Sequence, residues 1–172
     1  MYRTKTYIAG DWTGNQKEIN QLYKWNESEY WGLTFHDAHE YTQARDDSLN
    51  CSIKSSLKER MDISKTFVLI VGDNTKDLRA GSCSYCNSYN SGTGACGRGH
   101  YVDDRSYIEY ECDKAIEAGI KIVVLYASCF INKEKCPDVV KYKGIHIPMY
   151  YRENGTLYWN YNGIKNAIME NY

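Results

Sequence analysis

Charge of one sign, long apolar runs and phenylalanine are what this sequence lacks. Its 21 Lys+Arg and 22 Asp+Glu leave a net charge of −1 over 172 residues, which argues against a nucleic acid held by bulk electrostatics. No apolar run approaches the ~20 residues needed to span a bilayer. The opening Met1-Tyr2-Arg3-Thr4-Lys5-Thr6 lacks the apolar core of a signal peptide. The expectation is a cytoplasmic chain with neither membrane nor nucleic acid among its partners. In that compartment the 7 Cys are thiols or metal ligands rather than disulfides. Phenylalanine is scarce, at 3 residues against 17 Tyr. Rings that carry a hydroxyl therefore build much of the interior and surface, and they suit wet pockets and interfaces alike. Repeats and linkers are also missing, and the length fits one domain over 1–172.

What is present is an alternation of apolar strands and helical patterns. Thr6-Tyr7-Ile8-Ala9-Gly10 predicts a buried strand stopped by glycine. Ile19, Leu22, Tyr23 and Trp25 give residues 14–25 a helical period. Leu33-Thr34-Phe35-His36-Asp37 predicts a second strand, ending in the polar cluster His36-Asp37-Ala38-His39-Glu40. Ile53, Leu57, Met61 and Ile63 predict a helix over 51–63. Thr66-Phe67-Val68-Leu69-Ile70-Val71-Gly72 is apolar on both faces, as central parallel strands are. A glycine- and serine-rich loop at about 77–104 precedes a helix around Glu111 and the strand Lys121-Ile122-Val123-Val124-Leu125-Tyr126. A weaker strand over 145–150 and a terminal helix over 163–169 complete the chain. The pattern implies an α/β fold of flavodoxin-like order, a parallel sheet of about five strands flanked by helices on both faces. Ligands of such folds bind at the carboxyl ends of the strands. Gly10-Asp11-Trp12, Asp37-Ala38-His39, Gly72-Asp73-Asn74-Thr75 and the start of the Glu111 helix fall at that edge.

The Glu111 helix carries the sharpest signal. Ser106-x-x-Glu109 fits a capping box, which gives Glu109 a structural role and leaves Glu111 without one. Tyr107, Glu111 and Ala115 are spaced by four, so an acid lies beside a ring with space behind it. Glu111 also borders the apolar face of Ile108, Cys112, Ala115 and Ile116. The plain alternative is a solvated surface acid.

An aromatic, a β-branched residue, two variable positions, Glu and then Ala before a strand resembles the active-site helix of TIR domains. The order of motifs is similar to the TIR-like proteins of bacterial anti-phage defence, the Thoeris TIR subunit and its relatives. Thr6-Tyr7-Ile8-Ala9, Phe35-His36-Asp37-Ala38 and Leu69-Ile70-Val71-Gly72-Asp73-Asn74-Thr75 match that family's first three strands and the Thr-containing loop. The resemblance covers most of residues 5–127. It implies a TIR fold that cleaves the nicotinamide–ribose bond of NAD, its substrate, with Glu111 catalytic and Tyr107 in place of the family's tryptophan. It places Asp11, Trp12, Asp37 and Thr75 with Tyr107 around the nucleotide. The product it implies is ADP-ribose or a cyclic or conjugated ADP-ribose signal. It further implies self-association and a separate effector protein that senses the product. Two departures stand out: Ala9-Gly10-Asp11-Trp12 replaces the family's serine after the first strand, and the 77–104 loop exceeds ordinary connection lengths. A non-enzymatic TIR-type interaction module is the alternative.

Two further motifs compete for attention. Asp11-Trp12-Thr13-Gly14-Asn15-Gln16 stands where flavodoxins carry an FMN phosphate loop, but Asp11 would repel the phosphate. The simpler reading is a turn into a helix, with Thr13 or Asp11 as N-cap. Tyr7-Ile8-Ala9-Gly10 also resembles nucleoside deoxyribosyltransferases, which direct a glutamate at the same type of bond. Cys83-x-x-Cys86-x9-Cys96-x3-His100 lies wholly inside the long loop. It predicts either a tetrahedral structural zinc or a flexible lid with incidental thiols. Cys51, Cys112, Cys129 and Cys136 are expected in the core or on the surface.

Overall fold

The computed structural model describes residues 3–38 and 49–170. Four parallel strands form the main sheet in the order β1-β2-β5-β6: β1 Lys5–Ala9, β2 Ser64–Val71, β5 Lys121–Tyr126 and β6 Ile145–Pro148. β2 and β5 lie in the middle, and their apolar runs are buried on both faces as parallel strands require. Side chains of β2 alternate between two cores. Phe67, Leu69 and Val71 meet helices α2 (Asn50–Asp62) and α3 (Tyr107–Glu117). Val68 and Ile70 meet α1 (Gln16–Glu27) and α4 (Tyr161–Met169). Helices thus cover both faces of an α/β sheet of flavodoxin-like order.

The expected second strand is the one clear difference in the sheet. Residues 33–38 run beside β1 but pair through a single parallel bridge, Thr6 to Asp37. The Thr6 N–H donates to the His36 carbonyl at 2.7 Å, and the Ala38 N–H donates to the Thr6 carbonyl at 3.0 Å. Leu33, Phe35 and Ala38 are buried, so the apolar signal was sound. It described a packed edge segment rather than a laddered strand. Between β5 and β6 the chain forms two 3₁₀ turns, Lys133–Lys135 and Asp138–Val140. A hairpin of β7 (Tyr150–Glu153) and β8 (Thr156–Trp159) closes on the turn of Asn154 and Gly155, both at positive φ. Its strands are mostly exposed on both faces, so their sequence carries no clean alternation.

The long 77–104 segment is ordered by polar anchors. It holds one short hairpin, β3 (Tyr89–Asn90) against β4 (Ala95–Cys96). Buried Lys54 on α2 donates to the carbonyls of Asp103 and Arg105 at 2.9 and 2.7 Å. It also pairs with the Asp103 carboxylate at 3.4 Å. Partial burial pushes the Asp103 carboxyl up. Hydrogen bonds from the Arg105 side chain and backbone, with the charges of Lys54 and Arg105, outweigh this and hold it down at about 2.

Two outcomes are expected. Gly144 sits at φ +75°, and a Cβ there would lie 2.2 Å from the Ile122 carbonyl oxygen. Gly144→Ala therefore lowers unfolding stability by about 1–3 kcal/mol in urea titrations. Because its folded value lies below that of an ordinary aspartate, the Asp103 anchor contributes fully above pH ~4 and is lost as pH falls through ~2. Amide exchange across 83–105 should accelerate over that window, and in Asp103→Asn it should already be faster at neutral pH.

Candidate active site

At the carboxyl end of β1 a cleft of about 400 Å³ opens between three elements. Gly10 to Thr13 form one side, Ile53, Leu57 and Arg60 of α2 another, and Ser106 to Glu111 at the start of α3 the third. The capping box is present and fixes where α3 begins. The Ser106 hydroxyl accepts the Glu109 N–H at 3.1 Å, and the Glu109 carboxylate accepts the Ser106 N–H at 2.7 Å. That start turns Ile108, Cys112 and Ala115 inward and carries Glu111 with them, to only 7% exposure. Solvent does not hold this carboxylate. Tyr7, fully buried on β1, donates its hydroxyl to Glu111 Oε1 at 2.5 Å. Burial, followed by the neighbouring Glu111 charge, pushes the Tyr7 phenol well above its ordinary value. It therefore stays protonated and remains the donor. A buried acid without such a donor would be costly.

Two aromatic rings border the acid. Tyr107 is half-buried, and its hydroxyl donates to Asn50 Oδ1 at 3.0 Å. Burial, and then the nearby thiols of Cys86, Cys51 and Cys83, push its phenol up to about 12. Its ring rests on Gly81, where a Cβ would fall 2.5 Å from the ring carbons and φ is +95°. Trp12, 46% exposed, stands at the cleft mouth. Asp11 closes its own turn: its carboxylate accepts the Thr13 N–H at 3.0 Å, and its carbonyl accepts the Asn15 N–H at 2.7 Å. The Thr13 amide that a phosphate loop would offer is thus taken by a carboxylate, against the FMN reading. The N-cap of α1 is Asn15, without a side-chain cap bond, rather than Thr13 or Asp11.

The cleft therefore gathers Glu111, Tyr107, Asp11 and Trp12. Asp37 and Thr75 are not among its lining residues. Buried Asp37 accepts the Tyr23 hydroxyl at 2.6 Å, and its charge still acts on Tyr7. Buried Thr75 accepts the Gly72 N–H at 2.8 Å and shapes the turn beyond β2. His36 is exposed, and His39 lies outside the described residues. Two residues escaped the sequence reading, Tyr7 and Arg60. Arg60 is buried, lines the cleft and acts by its charge on Tyr7. A signal for it existed, since it follows Leu57 by three and adjoins Met61 on the apolar face of α2. A larger depression of about 690 Å³ opens elsewhere, beside Lys65, Lys121 and Lys143. It lies at the opposite ends of the strands and has no carboxylate in its lining, so the smaller cleft is the better candidate.

Cys83, Cys86, Cys96 and His100 line one small cavity, joined there by Cys51 of α2. Among the described residues no three Cys, His, Asp or Glu side chains already stand as a metal-ready group. Cys112 and Cys136 are buried in the core as expected, and Cys129 is partly buried. No helix among the described residues is long and apolar enough to cross a membrane.

A search of curated proteins finds no match to the chain. Residues 7–80 match the family model described as Thoeris protein ThsB, TIR-like domain. That span runs from β1 through β2 to the Ala80 wall of the cleft, and it ends before the helix that carries Glu111. Residues 7–80, with the parallel sheet they help to build, are thus similar to the Thoeris ThsB TIR-like domain.

Proposed function

We propose that this TIR-like anti-phage protein cleaves the nicotinamide–ribose bond of NAD at Glu111. The observation that carries the reading is a carboxylate buried at the strand ends, held by a protonated tyrosine and flanked by two aromatic rings. Nicotinamide leaves a cationic pyridinium as a neutral base, so no general acid is needed. The charge that develops is an oxocarbenium-like ribose, which a fixed carboxylate stabilises. Tyr7 positions that carboxylate through Oε1. The rings of Trp12 and Tyr107 stack on the flat ends of the dinucleotide, and Arg60 places positive charge on the cleft wall toward its phosphates. Capture of the ribose cation by water gives ADP-ribose. Capture by an internal or added nucleophile gives a cyclic or conjugated signal, read by a separate effector protein. Assembly with further copies of the chain belongs to the same reading.

A second reading, a non-enzymatic interaction module, draws on exposed rings. Tyr30, Tyr85, Tyr101 and Tyr142 are each more than 70% exposed.

Nicotinamide release from NAD, with products resolved by mass, separates the two. Glu111→Gln is expected to lower release by ~10²–10³-fold without loss of folding, and the product mass tells hydrolysis from cyclisation or conjugation. Wild-type protein that stays silent even in lysate of phage-infected cells would leave the interaction module in place of the enzyme. Tyr7→Phe keeps the ring and removes the donor. It is expected to reduce kcat about tenfold or more while KM changes little, because the carboxylate loses its alignment rather than its charge.

A further inference from the structure

The sequence confined the metal motif to the inserted loop, whereas the fold brings a thiol from outside the loop to it. Cys51 lies in the first turn of α2, some thirty residues before the motif. It lines the same small cavity as Cys83, Cys86, Cys96 and His100. Seven cysteines are free in this chain, and four of them line this cavity.

One of these sulfurs already accepts a backbone N–H group. The Asp103 N–H bonds Cys83 Sγ at 3.2 Å. Such N–H donors are what a metal-bound thiolate needs around it. Cys83 and Cys86 sit at either end of one 3₁₀ turn, with the Cys86 N–H bonded to the Cys83 carbonyl at 2.9 Å, so both project from one tight corner. The insert has little else to hold its middle. Between 77 and 104 only Gly81, Ser82 and Cys83 are buried, and the strands are two residues long. A segment this polar has too little apolar area to fold on its own, which is the circumstance in which structural metals occur.

We propose that Cys51, Cys83, Cys86 and Cys96 form a structural zinc site that clamps the insert to the first turn of α2, with His100 at its rim. Thiolate-rich, tetrahedral coordination fits zinc. Each ligating thiol gives its proton to solvent and an electron pair to the ion, with no change in oxidation state. The side chains turn about their Cα–Cβ bonds to close on the ion. Asn50, next to Cys51, holds the Tyr107 hydroxyl, so the clamp also fixes the aromatic wall of the cleft. The site stands whether or not the cleft is catalytic.

The test is metal analysis of the chain purified without chelator, followed by replacement of the metal with Co²⁺. About one zinc per chain is expected, released by a mercurial thiol reagent. The cobalt form should show the visible bands of a tetrahedral site and the near-ultraviolet sulfur-to-metal absorption of four thiolates. Cys51→Ser and Cys83→Ser should each bind zinc at least tenfold more weakly, with circular dichroism confirming that they remain folded. His100→Ala should retain both metal and spectrum. Loss of zinc from His100→Ala with retention in Cys51→Ser would overturn the assignment of Cys51. A folded wild-type chain that binds neither zinc nor cobalt, or that carries a disulfide between two of these cysteines by mass, would overturn the site.

Discussion

The hydrogen bond from Tyr7 to Glu111 is the contact on which the rest of the cleft depends. It joins the first strand to the third helix across more than a hundred residues, and it lets a carboxylate sit where the packing would otherwise demand an apolar side chain. Low dielectric makes such a group expensive when unpaired and strong when paired. The same surroundings set both its stability and its chemistry. The capping box at Ser106 serves this contact, since a shift of α3 by one residue would rotate Glu111 off the sheet-facing side. Lys54 and Asp103, which pin the end of the insert to α2, hold the segment from which α3 starts.

The scarcity of phenylalanine acquires a physical reason in this light. Buried and half-buried rings are repeatedly paired with buried or half-buried polar groups. Tyr150 donates to Glu18 at 2.5 Å, Tyr126 bonds His146 Nδ1 at 2.8 Å, and Tyr23 donates to Asp37 at 2.6 Å. Each hydroxyl satisfies a group that a phenylalanine would strand. The interior therefore combines ring packing with internal hydrogen bonding, and a Tyr→Phe change removes a donor without removing volume.

Much of the fold was legible because central parallel strands and amphipathic helices leave strong periods. β2, β5, α1 and α2 fall within a few residues of their sequence expectation. The edge segment 33–38 misled because burial and strand pairing produce the same apolar pattern, and only the hydrogen bonds distinguish them. At the site, helical spacing set Glu111 beside Tyr107 and the turn after β1 put Asp11 and Trp12 at the strand ends, while the resemblance to TIR domains supplied their roles. Tyr7 was hidden because a core tyrosine and a positioning tyrosine look alike in sequence. Arg60 was hidden because a charge on an apolar face is ordinarily a surface residue at the edge of a stripe. Cys51 belongs to the same class: its partners lie on another element, and no local spacing points to them.

Gly81 has a consequence for how this chain can vary. Its positive φ and its contact with the Tyr107 ring mean that the insert and the cleft share one wall. Lengthening the tip of the β3–β4 hairpin, between Asn90 and Ala95, leaves that wall untouched. Any change within the few residues around Gly81 alters the shape offered to a ligand. The insert is thus two territories in one loop, an outer part free to diversify and an inner part inherited together with the site.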